Sequence, residues 1–145
     1  HRDLHSFPTR TLFRSSHGDM AKGMLQSSSI FFGENLPQVQ ALGYQMTDDS
    51  EAFEERIGKA IAELDSGDGV LVLTDLFAGT PAHKTTRYLK PGQVDVICGV
   101  NLPLFLELLG LREAGGLDLN TLMQTGKDGI RLWEVAQPQS DDDFF

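Results

Sequence analysis

His17 stands directly before Gly18-Asp19 and a stretch, from Met20 onward, that reads as a helix. A histidine at such a turn lies near the orphan backbone N–H groups and the positive dipole end of the helix, a place suited to an anionic phosphoryl group. A neutral imidazole is a competent nucleophile. A carboxylate on its second nitrogen would fix the tautomer and stabilise the positive charge that develops on attack. Asp75, at the end of the run Val70-Leu71-Val72-Leu73-Thr74, is the candidate for that carboxylate. The plain structural alternative makes His17 a loop histidine and Asp75 a helix-capping aspartate. Beyond Asp75, the turn Leu76-Phe77-Ala78-Gly79-Thr80-Pro81 offers a glycine for close backbone approach and a hydroxyl. Both are useful around a phosphate, and both would also turn and cap an ordinary strand-to-helix junction. Lys84-Thr85 resembles the end of a P-loop, but Ala78 and His83 stand where that loop needs glycines, so the reading is rejected. His83 reads as a surface or packing residue, and Cys98, at the end of a strand, as a small core hydrophobe. No His, Asp or Glu cluster has metal-ligand spacing, and no metal is expected.

The elements that must position these groups follow from pattern. Val70–Thr74 is a continuous apolar run after the turn-like Ser66-Gly67-Asp68-Gly69, as expected of a strand buried on both faces. Val94-Asp95-Val96-Ile97-Cys98, ended by Gly99, is a second such run. Phe53, Ile57, Ile61 and Leu64 recur at helical spacing behind an Asp48/Glu51 capping signal. Thr80-Pro81 reads as N-cap and first helical residue of a segment running toward Leu89, and Asn101 as the cap of a helix through Leu104, Leu106, Leu108 and Leu109. Upstream, residues 21–32 predict a helix with Met20, Met24, Ile30 and Phe31 toward the core, and Val39 to Tyr44 a weak strand. The alternation calls for right-handed crossovers and an open, doubly wound, mostly parallel α/β sheet of order 2-1-3-4. In such sheets ligands gather beyond the carboxyl ends of the strands where the order reverses. That topology brings His17 and Asp75 together and places Asn101 at the end of the fourth strand. The first strand is the weak point: Thr11 to Ser16 holds only two large apolar residues, too few for a buried central strand. Ile130 to Val135 fits a C-terminal antiparallel strand at period two, and equally the end of a helix.

The chain has 145 residues, with 12 Lys and Arg against 21 Asp and Glu, a formal net charge of −9. That length suits one domain with a proper core. The acidity gives no general means of gripping nucleic acid or an anionic membrane. No apolar run approaches the roughly 18 residues of a membrane span, and no stretch is laid out as a secretory signal. With a single cysteine there is no internal disulfide, and a soluble cytoplasmic protein is the expectation. Residues 1–10 look foreign to the rest, a leader to be discounted as native structure, and residues 137–145 read as a solvated acidic tail. The domain proper is then 11–136.

Several segments together resemble one family. His17-Gly18-Asp19-Met20-Ala21-Lys22-Gly23-Met24 is similar to the active-site junction of the enzyme IIA domain of the mannose/fructose/sorbose branch of the bacterial sugar phosphotransferase system. Leu73 to Pro81 is similar to its second signature, Gly99-Val100-Asn101-Leu102-Pro103 to its third, and Gly126-Lys127-Asp128-Gly129 to its fourth. The resemblance implies that His17 is phosphorylated, receiving phosphate from the histidine phosphocarrier protein and handing it to a IIB domain for sugar uptake. It implies that Asp75 hydrogen-bonds the active histidine and that Gly18, Gly79, Thr80 and Asn101 surround the phosphate. It also implies a homodimer and no cofactor, because a phosphohistidine donor requires neither ATP nor magnesium. Ala78, His83 and the pair Leu104-Phe105 depart from the family's usual residues. An apolar rim including Phe77 and Leu102 would suit transient protein contacts.

Other readings compete. Ser16-His17-Gly18 superficially resembles the Arg-His-Gly opening of histidine phosphatases, but Ser16 occupies the place of the phosphate-holding arginine. A phosphotransfer subunit feeding a dihydroxyacetone kinase would differ in partner and not in His17 chemistry. A non-catalytic module would use His17 only to bind a ligand.

Overall fold

The computed structural model describes residues 6–7, 11–65, 67–114 and 116–135. In chain order the elements are β1 (Ser6–Phe7), β2 (Thr11–His17), α1 (Met20–Phe32), β3 (Val39–Tyr44), α2 (Ser50–Leu64) and β4 (Val70–Thr74). Then come α3 (Thr80–Thr85), continued by a 3-10 turn at Thr86–Tyr88, β5 (Val94–Ile97), α4 (Leu102–Glu113), β6 (Leu117–Asp118) and α5 (Leu119–Asp128). Four parallel strands form the main sheet in the order β3-β2-β4-β5. Counted among themselves, these strands have the expected order 2-1-3-4, with the reversal beside β2. β1 and β6 form a separate two-stranded antiparallel pair. The pair takes in Ser6–Phe7 of the expected leader; residues 1–5 and 8–10, and the acidic tail, lie outside the described residues.

Period-two alternation sends β4 into two cores. Leu71 and Leu73 join Ile97, Val100, Leu104, Phe105, Leu108, Leu109 and Leu122 on the face covered by α1, α4 and α5. Val70 and Val72 meet Phe53, Ile57, Ala60 and Ile61 of α2 on the other. A strand covered on both faces has no polar side to show, which is why its sequence is apolar throughout. Each such fully buried aliphatic side chain contributes about 2 kcal/mol of transfer free energy.

Several expectations are corrected. The first strand does form, and it is one of the two interior strands, with β3 on one side and β4 on the other. Ser15 and Ser16 are 0% and 2% exposed. In α1 the buried positions are Ala21 and Ser28, with Met24 and Phe32 packed against the first core. Met20, Ile30 and Phe31 are exposed at 49%, 82% and 40%. The inward stripe at positions 21, 24, 28 and 32 follows the helical period, and 20, 30 and 31 fall off it. Asp49, not Asp48, caps α2, accepting from the Ala52 amide at 3.1 Å. Gly79 occupies the N-cap of α3, and Thr80-Pro81 are its first two residues. Ile130 to Val135 is neither strand nor helix, and α5 and β6 were not anticipated.

Candidate active site

His17 ends β2 and Asp75 follows β4, so parallel pairing of the two strands carries both to one end of the sheet. The Asp75 carboxylate holds the histidine at two points. Its Oδ2 accepts from the His17 backbone N–H at 2.9 Å and lies 3.0 Å from the ring Nδ1. Its Oδ1 accepts from the Leu76 amide at 2.9 Å. A carboxylate only accepts, so the proton of this pair is assigned to Nδ1 and the lone pair to Nε2. Nε2 makes no hydrogen bond among the described residues. The His17 side chain is 43% exposed against 9% for Asp75: the carboxylate is sheltered and the imidazole is partly open to solvent.

The turn after His17 is tightly built. Gly18, with φ of 55°, lies in the left-handed region and donates its N–H to the Tyr44 carbonyl at 2.8 Å. Asp19, at the N-cap of α1, makes no capping bond, and its carboxylate accepts from Gln45 Nε2 at 2.9 Å. The missing cap comes from Ser16, whose Oγ accepts from the Ala21 amide at 2.8 Å. This buried hydroxyl closes the helix start without reaching solvent. Opposite the ring lies Gly79, with φ of 108°. A Cβ there would sit 2.8 Å from His17 Cε1 and 3.1 Å from Nε2.

Of the expected phosphate pocket, Gly79 is against the ring and Gly18 forms the turn. Thr80 is half-buried and follows Gly79 into α3, in the wall of a groove it shares with Phe77, His83 and Cys98. Asn101 is a framework residue: its Oδ1 accepts from the Leu104 amide at 3.1 Å and its Nδ2 donates to the Gly126 carbonyl at 2.8 Å. Its neighbour Val100 donates to the Thr74 carbonyl at 3.0 Å, setting the β5–α4 turn beside Asp75. Of the two expected rim residues, Phe77 is 88% exposed and Leu102 half-buried. His83 is exposed and Cys98 half-buried.

Three residues at the site escaped the sequence reading: Ser16, Gly43 and Tyr44. The Tyr44 ring stands 6.4 Å from the His17 ring at 80°. A Cβ on Gly43 would lie 2.1 Å from the Gly18 carbonyl oxygen. A glycine within a strand pattern signals close backbone approach, and Gly43 carried that signal.

Among the described residues no three His, Cys, Asp or Glu side chains are grouped to hold a metal ion, and no helix is long and apolar enough to cross a membrane. Comparison with known proteins shows the family. A fructose-specific EIIA component of Bacillus subtilis (strain 168) is 33% identical over 100 residues, 68% of each chain. A mannose-specific EIIAB component of Escherichia coli (strain K12) is 28% identical over 120 residues, 80% of this chain and 37% of that longer protein. The crystal structure of a PTS IIA protein associated with the fucose utilization operon of Streptococcus pneumoniae superposes with a TM-score of 0.79 at 30% identity, covering 86% of this chain and 93% of that one. The model of the family described as "PTS system fructose IIA component" matches residues 14–121, and the chain belongs to that mannose/fructose/sorbose IIA family of the sugar phosphotransferase system.

Proposed function

We propose that this protein is a phosphohistidine relay, in which His17 Nε2 takes a phosphoryl group from the histidine phosphocarrier protein and passes it to a IIB domain for sugar uptake. The carrying observation is the His17–Asp75 pair, with Nδ1 engaged by a sheltered carboxylate and Nε2 left without a hydrogen bond on a partly exposed ring. In the first transfer the Nε2 lone pair attacks phosphorus in line as the bond from phosphorus to the donor's imidazole nitrogen breaks. That bonding pair stays on the donor ring. Attack leaves positive charge on the His17 ring, and Asp75 faces that charge through the Nδ1–H bond. The second transfer reverses the roles, with the nucleophile of the IIB domain attacking phosphorus and His17 leaving. Such a loose transition state asks for positioning and charge stabilisation more than covalent assistance. Gly79 keeps the approach to Nε2 clear, and Thr80, the next residue, is the hydroxyl assigned to the phosphate in this reading. A relay of the dihydroxyacetone kinase type would use the same atoms with a different acceptor.

The reading includes a homodimer, supported by the exposed apolar residues that follow α5. The decisive experiment incubates the chain with enzyme I, the histidine phosphocarrier and labelled phosphoenolpyruvate. Acid-labile, base-stable label on the wild type and none on His17→Ala is the expected result. Label that persists on His17→Ala would overturn the assignment.

A further inference from the structure

We propose that Gly43-Tyr44-Gln45, the end of β3 and the residue after it, is the positioning element of the phosphoryl-accepting turn, with the Tyr44 ring setting the plane of the His17 imidazole. The proposal rests on the reading of His17 as the phosphoryl acceptor. Contacts run along the two segments in step. Gly43 lies under the Gly18 carbonyl, where a Cβ would come within 2.1 Å of the oxygen. Tyr44 is in register with His17 across the β2–β3 ladder, takes the Gly18 N–H on its carbonyl and sets its ring against the imidazole. Gln45 Nε2 donates to Asp19. Each residue of the turn therefore has a partner in this tripeptide, and Gly18 has two.

Asp75 cannot do this work alone. Its hydrogen bond to Nδ1 fixes one point of the ring and leaves rocking about the Nδ1···Oδ2 axis unopposed. In-line attack needs the Nε2 lone pair held to within about 10–20°. The Tyr44 ring, at 80° to the imidazole, opposes that rocking. It is itself held by Phe53 of α2, a ring centroid 5.0 Å away at 61°, and Phe53 is wholly buried. The plane of the nucleophile is thus referred back to the α2 core.

The test measures single-turnover phosphorylation by the phosphorylated carrier across a donor series, with thermal unfolding of each variant. For Tyr44→Leu the saturating rate should fall about fivefold to tenfold at unchanged half-saturation, while Tyr44→Phe stays within about twofold of wild type. Gln45→Ala, at an exposed position, should slow transfer about twofold with an unchanged unfolding midpoint. In the unphosphorylated protein, nitrogen-15 NMR should show the His17 Nδ1–H signal sharp in wild type and Tyr44→Phe and exchange-broadened in Tyr44→Leu. Wild-type saturating rates in Tyr44→Leu would overturn the proposal. So would equal losses in both tyrosine variants, or an effect confined to half-saturation. If Tyr44→Leu does not fold, an unchanged rate in Gln45→Ala overturns it. Should the wild type take no label from a working relay, the relay reading fails, and the NMR comparison still decides whether Tyr44 orients the ring.

Discussion

Gly18 and Gly79 flank the same imidazole, both with positive φ, yet they carry different burdens. At Gly18 nothing lies within 4 Å of an added Cβ, so Gly18→Ala meets only the backbone penalty of the left-handed region, about 1 kcal/mol. At Gly79 the added carbon meets His17 Cε1 at 2.8 Å and shadows Nε2 at 3.1 Å. Gly79→Ala should therefore cut phosphorylation by about a hundredfold, whereas Gly18→Ala loses stability and keeps most of its rate. Transfer kinetics beside thermal melts separate the two, and equal rates in both variants would remove Gly79 from the phosphate side of the ring. Asp75→Asn asks a different question. The amide oxygen can still accept from Nδ1–H, so orientation survives while the charge facing the developing imidazolium is lost; the amide NH2 then replaces the oxygen that accepts from the Leu76 N–H. A fall of about tenfold to a hundredfold in single-turnover rate is expected, with a loss of about 1–2 kcal/mol in stability from that unmade bond. An unchanged rate would reduce Asp75 to a turn residue.

Between elements, Asn101 is the joint. It caps α4 through Leu104 and ties α5 through the Gly126 carbonyl, while Gly126 and Gly129 let that helix lie close on Leu104 and Pro103. Asn101→Ala should cost about 1–2 kcal/mol in chemical denaturation, from a lost cap and a stranded buried carbonyl, and leave the saturating phosphorylation rate within about twofold. A large rate loss in a folded variant would show that Asn101 also serves the phosphate pocket. The same residue shows what sequence could convey. Its capping role was legible because Asn before Leu-Pro and an apolar helical run has a local cause. β4 was legible because burial on both faces leaves it uniformly apolar. β2 was not, since Ser15 and Ser16 look like surface residues until α1 is seen to take its first cap from Ser16. The pairing of His17 with Asp75 could be argued from topology alone. The contact with Tyr44 could not, because a strand read only as weak gives no register. Nothing local betrayed α5: Leu119, Leu122 and Met123 are few, and its cap at Asp118 depends on a strand of two residues.

On the scale of the whole molecule, two groups stand out among the exposed apolar side chains, apart from others such as Ile30 on α1 and Met46 after β3. Leu76 and Phe77 lie on the turn that follows Asp75, at 55% and 88% exposure, where the partners of the proposed relay would dock. Ile130, Leu132 and Val135 follow α5 at 80%, 85% and 98%, together with Trp133 at 68%. The second group is remote in sequence from His17 and has the alternation of a strand without being one. In the four-stranded sheet β5 has a neighbour on one side only, and an edge of that kind accepts an added strand. A largely apolar segment that is neither helix nor strand on its own chain would gain ladder hydrogen bonds and burial by crossing to such an edge on a second copy. The chain should therefore elute and scatter light at twice the mass of one chain, and removal of residues 130–135 should return it to one. Trp133, the single tryptophan, reports the same event: its emission should move to longer wavelength as the protein is diluted through the dimer dissociation range. A full-length chain that scatters as a monomer at every concentration, with Trp133 emission unmoved, would show that this segment serves some other contact.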